Sequence, residues 1–391
     1  MNVHVTARGS LVPILLAIAS GMLAMGLALP ALPLELQARF ACGTTMIGVV
    51  MGLQSCATLL SRPWAGQMAD QRGGRDTLLA GLGWTAGSGL ACAAALLPVF
   101  SPVIQQAMIV LGRGAMGLGE GLLVTGGGIW AVTMAGSARA GAAMSWVGLA
   151  IFAGLGVGTA LGGMIEAQEG FLCVCLVAVA LPIAGIGLAL RLPQPPRLHD
   201  GSHAGMRWRD LIGHIWAWGM ALGLSTLGFA AISSFLVIFY VARGWHGGGW
   251  ALAAFGTGHV MARLVGGRHV DREDVRPLVR TIMLAEAAGL GMIWLAPGPV
   301  WAAAGCFVSG LGFSLTYPLL ATPVLRQVPP TAVGSAIGLL DAFFDVAAGA
   351  GAVLSGMLAG VAGPASPFAM AMLAALAGSG VMMVLRNPRV G

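Results

Sequence analysis

Two aspartates in an otherwise apolar stretch are the residues best suited to proton chemistry. Asp341 and Asp345 are four positions apart, so a helix places both carboxyl groups on one face. Two carboxylates in low-dielectric surroundings repel each other, and burial also disfavours their charged forms. A carboxyl group that titrates near neutral pH is what proton coupling requires. Asp345 is the first candidate, with Asp341 as its partner or as a contact for a bound molecule.

A second charged pair lies in another apolar stretch. An arginine at the centre of a membrane helix costs about 2.5–3.5 kcal/mol on insertion scales, so such residues usually face the bundle interior and serve function. Glu120 follows Arg113 by seven residues, so two helical turns place them on nearly the same face. They are too far apart for direct contact but could share a polar path. A purely structural counter-charge role is the alternative.

Other candidate residues favour structural interpretations. Glu286 is the remaining acid in an apolar run, and a salt bridge to an arginine is the favoured interpretation. His259 is isolated, which favours a hydrogen-bonded packing role over a metal ligand. The glycines at positions 112, 114 and 117 match G-x-G-x-x-G, but they lie inside an apolar helix and not after a strand. They predict close helix packing. We expect no metal and no cofactor.

The composition defines the surroundings of these residues. Hydrophobic residues make up 57% of the 391 and charged residues 9%, against about 25% charged in a soluble domain. A water-facing surface cannot be built from so few charges, which excludes a soluble enzyme, a nucleic-acid-binding module and a disordered chain. A membrane-embedded protease or acyltransferase is disfavoured because neither H-E-x-x-H nor G-x-S-x-G is present.

The positions of the charges bound twelve apolar segments, each near the 20 residues that a membrane helix needs. Six precede residue 192. The other six are approximately Gly213–Tyr240, Gly249–Val265, Val279–Ala296, Val300–Pro323, Ala332–Gly360 and Phe368–Leu385. We therefore predict an all-α polytopic membrane protein with six-helix bundles at 1–192 and 213–391, joined by a cytoplasmic linker at 193–212.

The distribution of arginine predicts the orientation. All 20 basic residues are arginine, and 17 of them fall on the side that carries both termini. Only Arg39 and Arg243 fall on the opposite side. By the positive-inside rule both termini are cytoplasmic. The net charge of +6 then reflects topology and gives no reason to expect a nucleic-acid partner.

A short pattern, R-x3-G-x3-D, occurs at the end of the second and of the eighth predicted span. The first copy is Arg62, Gly66 and Asp70, and the second is Arg263, Gly267 and Asp271. Repeated six-helix halves are a transporter architecture, with a substrate site between the halves near the membrane midplane. Ser309 and Thr316 correspond by sequence to Arg113 and Glu120. The charged residues expected to take part in proton transfer therefore occur in span four and not in its counterpart, span ten.

The first copy continues as G-Q-M-A-D-Q-R-G-G-R from Gly66 to Arg75. It resembles the G-x-L-A-D-R-x-G-R-K signature of the major facilitator superfamily, in which Gly66, Asp70, Gly73 and Arg75 match. The segments 60–70 and 244–247 resemble the bacterial branch of sugar-efflux-like or arabinose-efflux-like permeases. The resemblance implies that Asp70 contacts the start of span eleven and holds an outward-facing state, with Gly66 allowing close helix approach.

A glycine series in span five resembles the antiporter signature G-x-x-x-G-P-x-x-G-G. It consists of Gly154, Gly158, Gly162 and Gly163, with Thr159 in place of the proline. The signature marks exporters, whereas ordinary small-residue packing is the competing interpretation. The segment from Leu111 to Gly117 is similar to the superfamily's R-x-x-x-G element, which is implicated in proton transfer in antiporters.

Together these features predict a monomeric secondary transporter of the bacterial inner membrane. The expected activity is proton-coupled efflux of a small organic molecule, such as a drug, sugar or metabolite, by alternating access. The expected partners are this substrate, protons and the lipid bilayer. The alternatives are a proton-coupled importer of a sugar or organic acid, and a sensor that binds ligand without transporting it.

Overall fold

The computed structural model describes residues 7–136, 139–192, 208–266, 274–329 and 332–384. These parts of the chain form thirteen α-helices and no strand. The first six are α1 (Ala7–Phe40), α2 (Thr44–Arg72), α3 (Gly74–Ala95), α4 (Pro102–Ala135), α5 (Ala140–Glu169) and α6 (Phe171–Leu190). The others are α7 (Trp208–Ala242), α8 (Gly248–Gly266), α9 (Arg276–Trp294), α10 (Pro299–Ser314), α11 (Thr316–Gln327), α12 (Val333–Ala362) and α13 (Ser366–Val384).

Every predicted span contains a helix, which confirms the all-α polytopic fold. Within the described ranges, eleven helical segments are long and apolar enough to cross a membrane. The tenth of the twelve predicted spans is covered by α10 and α11 together. The eighth predicted span is α8, which carries His259 and Arg263 and is not among the eleven.

The break between α10 and α11 was not expected from the sequence. The interruption falls at Leu315, three residues before Pro318. Proline has no N–H to donate to the carbonyl four residues earlier, and its ring pushes that carbonyl away. The carbonyl concerned belongs to Ser314, the last residue of α10. Pro318 therefore explains why a single apolar run forms two helices.

Contacts along the chain define two units. The first comprises Met1–Ala41 with Leu53–Asp200, and the second comprises Cys42–Gly52 with Gly201–Gly391. In the first unit α1 packs against α5 and α6, while α3 packs against α4 and α6. In the second unit α10 packs against α8 and α9, while α7 and α9 pack against α13 and α7 also packs against α12. Each unit is thus a helical bundle with its own interior.

Glycines bring the backbones of neighbouring helices together in both units. A Cβ atom on any of four glycines would lie within 3.3 Å of a backbone atom of the adjoining helix. In the first unit these contacts are Gly112 on Ser88 and Gly119 on Thr85, and in the second they are Gly305 on Gly289 and Gly312 on Glu286. These contacts set the register of α4 against α3 and of α10 against α9.

Candidate functional site

Arg113 lies inside the first unit, on the middle part of α4. Its side chain is enclosed, with 3% of the residue exposed. The atoms Nε and Nη1 are buried and have no hydrogen-bond partner among the described residues. The guanidinium lines a small cavity between α1, α3, α4 and α6, next to Cys92 and Cys175. A permanent positive charge is therefore held in the interior of this bundle.

Glu120 lies two turns further along α4 and binds a different helix. Its Oε2 atom accepts hydrogen bonds from Gln54 Nε2 at 2.9 Å and from Thr58 Oγ1 at 3.0 Å, both on α2. No ion pair joins it to Arg113 in the part of the chain that the structure describes. The two side chains thus have different nearest neighbours, and the shared polar path suggested by the seven-residue spacing stays a prediction.

The second unit offers no charged equivalent of this pair in α10. The residues that correspond by sequence, Ser309 and Thr316, are uncharged and buried. No residue of α10 carries a charge. The charged pair of α4 therefore has no charged counterpart in α10.

Glu286 occupies the interior of the second unit. The residue has 0% exposure, and its Oε2 atom accepts a short hydrogen bond from the Ser225 hydroxyl group on α7. Its Oε1 atom has no partner among the described residues. A Cβ on Gly228 would lie 2.6 Å from Oε1, so this glycine leaves room for the carboxyl group.

No described residue forms the salt bridge that the sequence favoured for Glu286. An isolated carboxylate in such a site costs several kcal/mol because neither water nor a cation compensates its charge. The neutral acid avoids this cost and can also donate a hydrogen bond from its own O–H group. Glu286 is therefore a buried carboxyl group with a serine as its described partner.

Asp341 and Asp345 lie one turn apart on α12, as their spacing predicts. Asp341 is partly buried and accepts a hydrogen bond of 2.6 Å from the Tyr317 hydroxyl group on α11. Asp345 is buried, with 3% exposure. The structure therefore places two carboxyl groups on one helix of the second unit, in addition to Glu286 on α9.

Aromatic rings surround His259 in the second unit. The residue is buried on α8, with its ring 6.4 Å from that of Phe255 and 6.0 Å from that of Phe313. Phe229 stacks on Phe313 at 5.6 Å with an interplanar angle of 5°. No group of three or more histidine, cysteine, aspartate or glutamate residues within the described ranges is arranged to hold a metal ion.

Arg75, one of the residues that match the signature between α2 and α3, forms hydrogen bonds inside the first unit. Arg75 donates from Nε to the Ala189 carbonyl oxygen at 3.1 Å and from Nη2 to the Leu190 carbonyl oxygen at 2.9 Å. A cation is favourable at the C-terminus of a helix, where carbonyl groups lack partners. Arg75 thereby joins the start of α3 to the end of α6.

For the other residues of the motif, the structure gives a reason for Gly73 but not for Gly66 or Asp70. Gly73 has a φ of 92°, a conformation that favours glycine, and it lies directly before α3. A Cβ at Gly66 would meet no atom within 4 Å, and the close helix approach expected there stays a prediction. Asp70 is exposed at the end of α2. Its contact with the start of span eleven stays a prediction.

The second copy of the motif lies largely outside the described residues, since Gly267 and Asp271 fall in the gap between 266 and 274. Arg263 lies in the last turn of α8. Beyond the gap, Arg276 donates from Nε and Nη2 to the two carboxylate oxygens of Asp274, each at 2.9 Å. These hydrogen bonds lower the pKa of Asp274 below its usual value.

The glycine series of α5 forms a close packing surface with α1. A Cβ would lie 2.7 Å from the Ala19 carbonyl oxygen at Gly154, 2.2 Å from that of Leu23 at Gly158 and 2.3 Å from that of Leu27 at Gly162. Thr159, which stands in place of the signature proline, donates to the Leu155 carbonyl oxygen of its own helix. This geometry supports the packing interpretation of the series.

Several polar partners were missed because they lie on other helices. Ser225 on α7 and the pair Gln54 and Thr58 on α2 look like ordinary small polar residues in apolar runs. The one signal in the sequence was that buried polar side chains need partners, which predicts their existence but not their identity. The proximity of Cys92 to Cys175 had no sequence signal at all.

Comparisons with known proteins identify the family. The family model of the Major Facilitator Superfamily matches residues 14–347 and 224–390. The uncharacterized MFS-type transporter STM4428 of Salmonella typhimurium is 33% identical over 367 residues, covering 93% of each chain. The uncharacterized MFS-type transporter YhhS of Escherichia coli K12 is 33% identical over 358 residues, covering 91% of this chain and 87% of that relative.

Solved structures show the same fold. The human organic anion transporter MFSD10 superposes with a TM-score of 0.74 at 17% identity, covering 96% of this chain and 99% of its own. A point mutant of the nucleoside transporter NupG gives a TM-score of 0.75 at 13% identity, with the same coverage. Members of this family move molecules across membranes and are not enzymes. The chain thus belongs to the major facilitator superfamily and is a multi-pass membrane transporter.

Proposed function

We propose that the transporter exports a small organic molecule in exchange for protons. The observation that carries this proposal is the set of carboxyl groups inside the second unit. Glu286 is fully buried with Ser225 as its described partner, and Asp345 is 3% exposed on α12. A carboxyl group that is hidden from water in one conformation is neutral there and can release its proton when another conformation hydrates it.

Asp345 is the proposed proton carrier, and Asp341 its partner or a substrate contact. The Tyr317 hydroxyl group holds Asp341 by a 2.6 Å hydrogen bond, so a proton that arrives at or leaves this carboxyl group changes a bond between α11 and α12. Such a bond gives protonation a direct effect on the packing of two helices. Arg113, Glu120 and Glu286 complete the proposed charge network.

The proposed outward direction depends on the resemblance of the α5 glycine series to the antiporter signature. Because the proline of that signature is replaced by Thr159, a second candidate is a proton-coupled importer of a sugar or organic acid. In both cases the cytoplasmic gate is the motif that includes Asp70 and Arg75. The membrane is proposed to be the bacterial inner membrane, with both termini in the cytoplasm.

Flux in reconstituted vesicles tests the coupling. Purified protein is first screened by thermal shift against sugars, nucleosides, organic acids and organic amines, and the compound with the largest shift is used as cargo. We expect flux to rise several-fold with an imposed pH gradient and to fall with a protonophore to the level measured without a gradient. Equal flux with and without the gradient would remove the coupling proposal.

Substitutions of the buried carboxyl groups then test which of them carries the proton. Asp345→Asn and Glu286→Gln keep the side-chain size but cannot release a proton, and Glu169→Gln makes the same change at an exposed position at the end of α5. We expect Asp345→Asn to abolish gradient-driven flux and Glu169→Gln to preserve it. Full gradient-driven flux in Asp345→Asn would mean that another group carries the proton.

A further inference from the structure

Two buried cysteines meet at one end of the first unit. Cys92 lies in the last turn of α3, and Cys175 lies in the second turn of α6. The two thiols are free and hydrogen-bond to each other. No step of the proposed transport cycle involves them. We call these two residues the thiol pair.

The backbones of α3 and α6 approach each other closely at the thiol pair. A Cβ on Gly89, one turn before Cys92, would lie 3.2 Å from the backbone carbonyl oxygen of Cys175. A disulfide needs two Cα atoms about 4.4–6.8 Å apart, and helices come this close only where a small residue lets their backbones touch. Both cysteines also line one small cavity, with room for about one water molecule. We therefore expect a bond between the sulfur atoms to need rotation of the two side chains and no movement of a helix.

A cation lies beside the thiol pair. The Arg113 side chain lines the same cavity and acts electrostatically on Cys92. A Cβ on Gly112, the residue before Arg113, would lie 3.0 Å from Cys92 Sγ, so this thiol reaches α4. The thiolate is the reactive form of cysteine, and a neighbouring cation favours it. Cys92 is therefore the cysteine of the pair that is better placed to attack an oxidant.

We propose that hydrogen peroxide oxidises the thiol pair to a disulfide. The Cys92 thiolate attacks one peroxide oxygen and becomes a sulfenic acid. The hydroxide that leaves takes up the proton lost by the thiol and becomes water. The Cys175 thiol then attacks the sulfenic sulfur, which forms the disulfide and releases a second water molecule. Two thiols are oxidised and one peroxide is reduced to two water molecules, so no other reactant is needed.

The disulfide would fasten the end of α3 to the start of α6 within the first unit. It would close a loop of roughly 80 residues, which restricts the unfolded chain and stabilises the folded one. In the proposed orientation this end of the bundle faces away from the cytoplasm, on the side where disulfides form and persist. That location rests on the proposed topology, whereas the reaction between the two cysteines does not.

Inert packing is the competing interpretation of the thiol pair. Buried cysteines often behave as small hydrophobic residues, and those with a purely structural role do not react. The two interpretations differ in what peroxide does to the folded protein. An inert pair keeps both thiols, whereas a reactive pair loses both at once.

Peptide mass spectrometry of the purified full chain tests the proposal. The protein is treated with hydrogen peroxide in detergent, unfolded, blocked with N-ethylmaleimide and digested. We expect a peptide joined through Cys92 and Cys175 that dithiothreitol separates, and an unfolding midpoint about 4–12 °C above that of the reduced protein. Recovery of both cysteines as thiols, at a peroxide concentration that oxidises the exposed Cys56, overturns the proposal. The test needs no cargo and no pH gradient, so its failure is distinct from a failure of the proposed transport.

Single substitutions assign the two roles. In Cys175→Ser the attacking thiol has no partner, so we expect peroxide to add oxygen to Cys92 several-fold faster than to Cys175 in Cys92→Ser. Neither variant should show the rise in the unfolding midpoint. Cys306→Ala is the control, because Cys306 is equally buried but lies on α10 of the second unit, and it should keep the full rise. A rise that persists in either single variant contradicts the disulfide, and faster oxidation of Cys175 contradicts the order of attack.

Discussion

Replacing Gly158 with alanine tests what the glycine series of α5 does. The added Cβ would lie 2.2 Å from the Leu23 carbonyl oxygen and 2.9 Å from two further backbone atoms of that residue. Backbone atoms cannot rotate away as a side chain does. Restoring an ordinary contact of about 3.4 Å therefore requires α1 and α5 to separate by roughly 1 Å, which loosens the packing along their whole contact.

The size of the effect follows from the cost of overpacking. Inserting a methyl group into a tightly packed contact costs about 1–3 kcal/mol, and the short backbone distances place Gly158 at the upper end. Alanine recovers up to about 1 kcal/mol of helix propensity. The net loss of about 2 kcal/mol lowers the unfolding midpoint by about 4–8 °C for a unit of roughly 190 residues.

The assay is thermal unfolding in detergent, followed by flux in vesicles. Gly187→Ala is the matched control, because a Cβ at that position of α6 meets no atom within 4 Å and should leave the midpoint unchanged or slightly higher. If Gly158→Ala unfolds within about 1 °C of the wild type, the packing interpretation is refuted. Loss of proton coupling at an unchanged midpoint would instead favour the antiporter interpretation of the series.

Three further substitutions test individual contacts. Tyr317→Phe removes the 2.6 Å donation to Asp341 and should lower the unfolding midpoint by about 2–4 °C for a loss of about 1 kcal/mol; an unchanged midpoint contradicts this. Arg75→Gln removes the charged contact with the end of α6, so we expect the free energy of unfolding to fall by about 0.3–1 kcal/mol at low salt and by less at high salt. Equal losses at low and high salt would argue against a charge effect. Asp274→Asn removes a carboxylate whose pKa is lowered by Arg276, so its stabilising contribution is present above the unfolded-state pKa and is lost as the pH falls through the folded value. Unfolding measured from about pH 7 to about pH 2 should show the variant and wild type converging in acid, and a difference that grows in acid would reverse the sign.

The helices of this fold could be predicted because lipid imposes strict requirements on the sequence. A membrane helix needs about 20 apolar residues, so charged residues define its limits. The ends of α9 and α12 fall within a few residues of the predicted positions. The break at Leu315 escaped prediction because it depends on a single proline inside a run that was otherwise apolar and long enough.

The candidate residues were found, but their partners were not. A charged residue in an apolar run is visible in the sequence, and Glu286 and Arg113 were both identified in this way. Which groups surround them depends on helix register, which the close glycine contacts determine in three dimensions. Ser225 was therefore not recognised as the partner of Glu286.

Proton movement driven by the cargo is the most direct test of proton-coupled export. Inside-out vesicles are given an acidic interior and loaded with a pH-sensitive dye, and the cargo chosen by thermal shift is added outside. The account predicts that the cargo enters the vesicles while protons leave, so the internal pH rises immediately in the wild type and not in Asp345→Asn. If cargo enters without any change in internal pH, or enters only right-side-out vesicles driven by external acid, proton-coupled export is contradicted.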